Sequence, residues 1–293
     1  MKLPTTEDRD PQSIGLSKRT DEEILSLLLD RQIEALNATA LAIPQISRAA
    51  KALQEAAEAE QNIGYAGAGS AGLTALADCL ELPGTFGFPP ERMCILFAGG
   101  AKNLLHMAGS FEDSEQSGVH DFEASGLGAN DILIGVSASG TTPYTLGTFR
   151  AAALAGTRTI GIANNQESPL LTLADYPIFL KTPPEMIAGS TRLGAASAQK
   201  VALNMISTLV ALRLGHAVRG HMVNMVADND KLRQRAQRIL QDLTDCTSAA
   251  AEEALRESGG RVKIAIVMLR EGLNVRAAEE ALDLHGGNLR PLL

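Results

Sequence analysis

Two stretches of this 293-residue chain combine glycines and hydroxyls in the manner of phosphate-binding loops. Residues 67–72 read Gly-Ala-Gly-Ser-Ala-Gly, a G-x-G-x-x-G pattern in which backbone amides approach a phosphate. Residues 137–143 read Ser-Ala-Ser-Gly-Thr-Thr-Pro, and the proline suits the first turn of a helix, where free amides and the helix dipole favour an anion. Both patterns indicate a phosphate site. The candidate contacts are Gly69, Ser70, Ser137, Ser139, Gly140, Thr141 and Thr142.

The first loop alone would also fit a dinucleotide. A dinucleotide-binding fold needs an acidic residue at the end of the next strand, because a carboxylate there holds the ribose hydroxyls. The next strand, predicted at 93–99, ends in Ile-Leu-Phe-Ala-Gly, and Glu91 lies at its beginning instead. The sequence therefore favours another phosphate compound. For the second loop, the alternative is a capped helix with spare hydroxyls.

A third polar stretch precedes a long predicted helix at about 195–214. Ser190, Thr191 and Arg192 lie before the helix, and Lys200 and Asn204 share one of its faces because they are four residues apart. We expect these two side chains to point together at a site or at a partner subunit. The alternative is a helix cap followed by solvated charges.

The elements that must position these residues follow from short apolar runs separated by amphipathic stretches. Runs at 63–67, 93–99, 131–138, 159–164 and 176–181 are continuously apolar, which is typical of strands buried on both faces. The pattern predicts a doubly wound α/β domain with a parallel sheet and flanking helices. The predicted organisation is an N-terminal arm with helices at 1–60, the α/β domain at 61–226 and a small all-α domain at 227–293.

Composition limits the functional classes. A net charge of −8 and a pI near 5.2 argue against nucleic-acid binding, which needs a basic surface. The polar N-terminus has no signal-peptide pattern, and we expect no membrane span. The three cysteines have no zinc-binding spacing and suggest reduced thiols, so we expect a cytoplasmic protein.

Taken in order, these motifs resemble those of the N-acetylmuramic acid 6-phosphate etherases, phosphosugar-binding proteins of the sugar isomerase (SIS) type. The resemblance covers nearly the whole chain and extends more distantly to glucokinase regulatory proteins. The motifs that carry it are "GAGSAG" through "LPGTFGFPP", "FEDS", "GVSASGTTPY", "GSTRL" with "AQKVALNMIST", "MVNMVADNDKL" and "HGGNLR".

The resemblance implies cleavage of the ether that joins D-lactate to carbon 3 of the sugar, by elimination followed by addition of water. The acid/base glutamates of the family fall on Glu81 and Glu112. Glu81 lies between Leu80 and Leu82, apolar neighbours that would disfavour its charged form. Two carboxylates could perform this chemistry without a metal or redox cofactor. The resemblance also implies a homodimer, with the N-terminal arm and the helix bearing Lys200 as contact candidates.

The sequence departs from the family pattern at several positions. Leu73 and Thr141 stand where the etherases usually have arginine, Gly194 where they have lysine, and Ala101 where they have glutamate. Three lost cations should weaken binding of an anionic substrate, with Arg192 and Lys200 as compensators. Two alternatives therefore remain beside the etherase: a sugar-phosphate-binding regulator without turnover, and an etherase or isomerase that acts on another phosphosugar.

Overall fold

The computed structural model describes residues 4–227 and 229–293, so Met1–Leu3 of the predicted arm and Asp228 lie outside it. The helices are α1 (Asp21–Leu41), α2 (Ile43–Glu58), α3 (Gly69–Phe86), α4 (Gly100–Asn103), α5 (Glu115–Ala124), α6 (Pro143–Ala155), α7 (Pro169–Leu173), α8 (Gly194–Arg213), α9 (Asp230–Thr244), α10 (Ser248–Glu257), α11 (Val262–Glu271) and α12 (Val275–Asp283). The strands are β1 (Ile63–Gly67), β2 (Met93–Phe97), β3 (Ile132–Ser137), β4 (Arg158–Ala163), β5 (Tyr176–Phe179), β6 (Ala217–Val218) and β7 (His221–Met222). Short 3-10 turns lie at Pro11–Ser13, Leu16–Lys18, Pro90–Arg92, Gly109–Phe111 and Arg290–Leu292.

Strands β1 to β5 form one parallel sheet in the order β2-β1-β3-β4-β5. The predicted doubly wound fold is thereby confirmed. Every residue of β1 and β3 is buried, which explains their continuous apolar sequences. β2 lies on one side of β1, whereas β3, β4 and β5 follow one another on the other side, so the strand order reverses direction between β1 and β3. Ligands of such sheets bind outside the carboxyl ends of the strands at this switch point.

Two glycines allow α5 to lie unusually close to α6. A β-carbon on Gly118 would come within 2.0 Å of the Tyr144 carbonyl oxygen, and one on Gly147 within 2.1 Å of the Glu115 carbonyl oxygen. Larger residues would force the helices apart. The close packing holds the segment before α5 against the amino end of α6, directly after β3.

Helix α1 begins at a capping box formed by Thr20 and Glu23, in which each side chain accepts the other's backbone N–H. The helical stretch then breaks at Ala42, and Pro44 occupies the first turn of α2. A proline is tolerated there because a first-turn amide has no partner within the helix.

By its internal contacts the chain divides into two units. The first comprises the described residues up to Cys79 together with Glu91–Ser207, and the second comprises Leu80–Pro90 and Thr208–Leu293. The predicted boundary at 226/227 falls inside the second unit. That unit contains α9 to α12, packed around its own apolar core, which includes Ile239, Leu240 and Ile266.

Among the described residues, one helix has the length and hydropathy of a membrane span, although no such span is expected from the sequence. It is α8, with a mean hydropathy of 1.2. Buried residues make up 56% of its apolar stretch, as in the core helices of folded domains, so it is weak evidence for a membrane segment.

Candidate functional site

The two Gly-rich and Ser/Thr-rich loops lie side by side at the carboxyl edge of the sheet. Gly67, the last residue of β1, pairs with Val136 of β3, so the loops that follow start from neighbouring positions. This is the switch point of the strand order, where the fold leaves a crevice for a ligand.

The glycines of the first loop serve close packing as well as backbone conformation. A β-carbon on Gly67 would lie 2.8 Å from the Gly72 Cα, and one on Gly72 would lie 2.7 Å from the Phe97 ring. Gly69 has a φ of +54°, in the left-handed region that favours glycine. The pattern therefore lets α3 start directly against the end of β1.

The hydroxyls of the second loop form one connected cluster. Ser137 is 2% exposed, and its Oγ accepts the Gly140 N–H at 3.0 Å and hydrogen-bonds Thr142 Oγ1 at 2.8 Å. Ser139 Oγ accepts both the backbone N–H and the hydroxyl of Thr141, at 3.1 and 2.9 Å. The amino end of α6 begins at once with Pro143, and no side chain caps it. Its dipole and this cluster suit a phosphate oxygen.

Glu112 contacts the first loop through its side chain and the helix after the second loop through its backbone. Its backbone carbonyl accepts the Tyr144 N–H of α6 at 3.0 Å, and its carboxylate lies over Gly69, where a β-carbon would come within 2.8 Å of Oε1. The side chain is half-buried. Burial, and then the negative charge of Asp113, raise the pKa of the Glu112 carboxyl above its ordinary value. A carboxyl with a raised pKa keeps its proton to a higher pH than an exposed one, which suits proton transfer to a substrate.

Glu81 lies on α3, in the segment of that helix that belongs to the second unit. The apolar surroundings expected for it are not formed, because Glu81 is exposed and its neighbour Leu80 is 66% exposed. That expectation is wrong because helical geometry turns consecutive residues in different directions, so that Leu82 alone of the three is buried.

The third polar stretch forms a compact turn before α8. Ser190 and Thr191 donate their backbone N–H groups to the carbonyls of Ile187 and Gly189, and Arg192 is exposed. Among the contacts of the described residues, no hydrogen bond joins this turn to the hydroxyl cluster at 137–142.

A buried glutamate caps α8. The Glu185 carboxylate accepts the N–H groups of Gly194 and Ala195 at 3.0 and 2.9 Å, and these bonds partly offset the upward effect of burial on its pKa. A β-carbon on Gly194 would come within 2.9 Å of the Ala35 Cβ. The position where the family has lysine is therefore closed by α1 and by Glu185.

Lys200 and Asn204 contact each other, as their spacing predicts. Beyond them lies Asp78, for which the sequence predicts no role at the site. The Asp78 carboxylate is 5% exposed and accepts hydrogen bonds from Asn204 at 2.9 Å and from the Tyr65 hydroxyl at 2.9 Å. The available signal in the sequence was an aspartate among the apolar residues of α3, because a carboxylate buried in such a place needs hydrogen-bond partners.

A second polar set lies at the carboxyl end of β4. The fully buried Gln199 donates to Asn164 Oδ1 at 2.8 Å. Asn165 donates to Thr6 Oγ1 at 3.0 Å and to the Ser139 carbonyl at 3.2 Å, which ties the N-terminal arm to the second loop. A cavity of about 650 Å³ opens beside this set, lined by Thr5, Asn37, Asn164 and Thr182 among others.

No protein-family model matches the chain. Curated relatives named N-acetylmuramic acid 6-phosphate etherase match almost all of it: 41% identity to the protein of Deinococcus radiodurans over 98% of this chain and 94% of the relative, and 39% to that of Rubrobacter xylanophilus over 98% and 95%. The protein of Halalkalibacterium halodurans is 37% identical over 98% and 96%. The chain belongs to the N-acetylmuramic acid 6-phosphate etherase family.

Solved structures agree on the fold of this etherase-family chain. A phosphoheptose isomerase from Francisella tularensis is similar with a TM-score of 0.52 and 19% identity, over 66% of this chain and all of that one. A phosphoheptose isomerase from Neisseria gonorrhoeae gives 0.50 and 16%, over 65% and 98%. The SIS-type fold expected from the resemblance is thereby confirmed.

Proposed function

We propose that the protein is a lyase that cleaves the D-lactyl ether of N-acetylmuramic acid 6-phosphate and releases N-acetylglucosamine 6-phosphate and D-lactate. The observation that carries this proposal is the placement of Glu112, whose carboxylate reaches the first loop while its backbone is bonded to the helix that follows the second. Membership of the etherase family supplies the reaction.

In this proposal the substrate phosphate binds the hydroxyl cluster and the adjacent amides, with contacts from Gly69, Ser70, Ser137, Ser139, Gly140, Thr141 and Thr142. Ser190, Thr191, Arg192 and Lys200 are further binding residues. Arg192 and Lys200 are both exposed, and Lys200 donates to the neutral Asn204 side chain, so both cations are accessible to an anionic ligand.

The chemistry needs two proton transfers. Once the ring opens to an aldehyde, the proton on carbon 2 becomes acidic; a base removes it, and the bond from carbon 3 to the lactyl oxygen breaks. Lactate leaves with a proton from an acid, and water then adds to carbon 3. We assign proton removal to Glu81 and proton delivery to Glu112, whose raised pKa suits an acid.

A lactate-release assay tests the function. Purified protein incubated with N-acetylmuramic acid 6-phosphate is expected to release D-lactate, and Glu112→Gln is expected to lower kcat by roughly 100-fold or more, the usual worth of a general acid. Glu81→Gln should also lose activity, whereas Glu167→Gln, an exposed glutamate at another position, should not. Absence of lactate at high enzyme concentration would overturn the proposal.

The second candidate is a sugar-phosphate-binding regulator without turnover. It is favoured by the positions where the family has cations: Leu73 is 39% exposed, Thr141 donates its hydrogen bonds to Ser139, and Gly194 is packed against α1. A ligand that binds the folded state raises its melting temperature. Stabilisation by N-acetylglucosamine 6-phosphate without lactate release would support this function.

We further propose that the protein forms a homodimer in the cytoplasm. Leu25, Leu29 and Ile33 are 64%, 60% and 47% exposed, and their spacing of four places them on one side of α1. An exposed apolar stripe of this kind commonly marks an interface. α1 directly follows the N-terminal arm, which the family resemblance implies as a contact candidate together with the helix bearing Lys200.

A further inference from the structure

The second unit contains a cavity that the proposed reaction does not use. It has a volume of about 520 Å³, within the range of small-molecule sites. It is lined by the segment Val223–Val226 after β7, by the first residues of α11, by α12 with Gly287 beyond its end, and by Gly87 after α3.

Lys263 is the unusual group in this cavity. It lines the space, yet the residue is only 8% exposed, and lysine is almost never buried this deeply without a charged partner. Its Nζ donates to the Gly287 carbonyl at 2.6 Å, which uses one of the three ammonium donors. Burial alone lowers the pKa of Lys263 to about 8, with no carboxylate to counter it. At pH 7 the ammonium is thus mostly charged and its charge is not compensated.

The amino end of α11 adds to the positive potential. Arg261 occupies the cap position and makes no side-chain capping bond. The Val262 N–H donates to the Met225 carbonyl at 3.4 Å, and the next two residues of the first turn, Lys263 and Ile264, line the cavity. Amides in this position and the helix dipole attract an anion. The cavity therefore combines a buried ammonium with a helix start that no side chain caps.

The remaining charged groups do not cancel this potential. The Arg261 guanidinium pairs with the Glu279 carboxylate, so these two offset each other. Asp283 is exposed at the rim. His216 stays neutral, because burial and then the charge of Lys263 lower its pKa to about 3, and its Nδ1 has no hydrogen-bond partner.

We propose that this cavity is a second anion site, which binds the phosphate group of a small sugar phosphate between the Lys263 ammonium and the first-turn amides of α11. A tetrahedral phosphate offers an oxygen to each of these donors. The volume leaves room for a sugar beside the phosphate, and Asp283 at the rim can accept hydrogen bonds from sugar hydroxyls. The proposal stands independently of the lyase activity.

Methyl NMR on the full chain tests the site locally. Met225 and Ile264 line the cavity, whereas Met186 belongs to the other unit and serves as an internal reference. Protein labelled at methionine and isoleucine methyls is titrated with inorganic phosphate, glucose 6-phosphate and D-lactate at constant ionic strength. We expect saturable shifts of Met225 and Ile264 with glucose 6-phosphate, both in the wild type and in Ser137→Ala, which weakens the first site.

Lys263→Leu is expected to raise the dissociation constant measured at Met225 at least tenfold, while Lys263→Arg retains part of the affinity. The wild type provides a test that needs no variant: above pH 8 Lys263 loses its proton, so the dissociation constant should rise by up to tenfold per pH unit. Absence of shifts at Met225 and Ile264, or shifts that neither Lys263→Leu nor pH 9.5 changes, would overturn the site. If inorganic phosphate bound as tightly as glucose 6-phosphate, the claim that the site recognises a sugar would be overturned. If D-lactate bound as tightly, the claim that the site selects a phosphate group would be overturned.

Discussion

The Glu112 carboxylate lies over Gly69, at a distance that leaves no room for a β-carbon: one built there would come within 2.8 Å of Oε1. The loop that matches a nucleotide-binding pattern thus has a different use in this protein. Its second glycine makes space for a carboxyl group that comes from a segment more than 40 residues away along the chain.

Gly69→Ala should therefore damage catalysis more than stability. The added methyl displaces the Glu112 side chain, and a misplacement of about 1 Å can cost roughly 100-fold in rate. The positive φ adds about 1 kcal/mol of strain. The matched control is Gly126→Ala, which has a φ of +78° but nothing within 4 Å of the new β-carbon. Equal kcat values for the two variants would contradict the role given to Gly69.

The pH dependence of kcat should respond to Asp113. This exposed carboxylate adds to the raised pKa of Glu112, after burial, so Asp113→Asn should lower that pKa. If Glu112 delivers a proton, activity falls as the pH rises through its pKa, and the variant should shift this descending limb to lower pH. A shift of the ascending limb instead would identify Glu112 as the base. If neither limb shifted, the titration of Glu112 would determine neither limb of the pH dependence of kcat.

Glu185→Ala should destabilise the first unit. Its carboxylate satisfies two first-turn amides of α8, and the loss of such a cap typically costs about 1–2 kcal/mol. Glu185→Gln, which keeps an acceptor oxygen, should lose less. Urea unfolding followed by circular dichroism measures the difference, with Glu167→Ala as an exposed control. A midpoint for Glu185→Ala equal to that of the control would exclude the capping role.

Leu29→Glu should shift the protein from dimer to monomer. A charge at the centre of the α1 stripe would have to be desolvated in the interface, which is unfavourable without a partner. Leu154→Glu is the matched control, because Leu154 on α6 is 92% exposed and lies outside the stripe. Light scattering coupled to size-exclusion chromatography gives the mass of each variant. A dimer that survives Leu29→Glu would exclude α1 as the interface.

Local signals in the sequence predict most of the framework. The five strands lie within one to two residues of the predicted runs, because apolar strands buried on both faces leave a continuous pattern. Thr20 and Glu23 predict the start of α1 because a capping box is a contact between residues three apart. The hydroxyl cluster at 137–142 is equally local.

Contacts between distant residues could not be predicted in the same way. The exposure of Glu81 depends on how α3 is oriented, and two leucines beside it in sequence were a misleading guide. Asp78 and Gln199 lie within stretches that resemble the family, yet their buried partners are visible only in the folded structure. Lys263 reads as an ordinary helix-surface lysine until α12 and Gly287 are folded against it.

The sequence by itself determined the family, the succession of strands and helices along the chain, and the residue types available for phosphate binding. These features depend on neighbours within a few positions. Only the tertiary structure decided that Glu112 faces Gly69, that Gly194 is closed by Glu185 and Ala35, and that Lys263 is a buried charge. These relations join residues far apart in the chain, and packing in three dimensions alone determines their distances and the solvent around them.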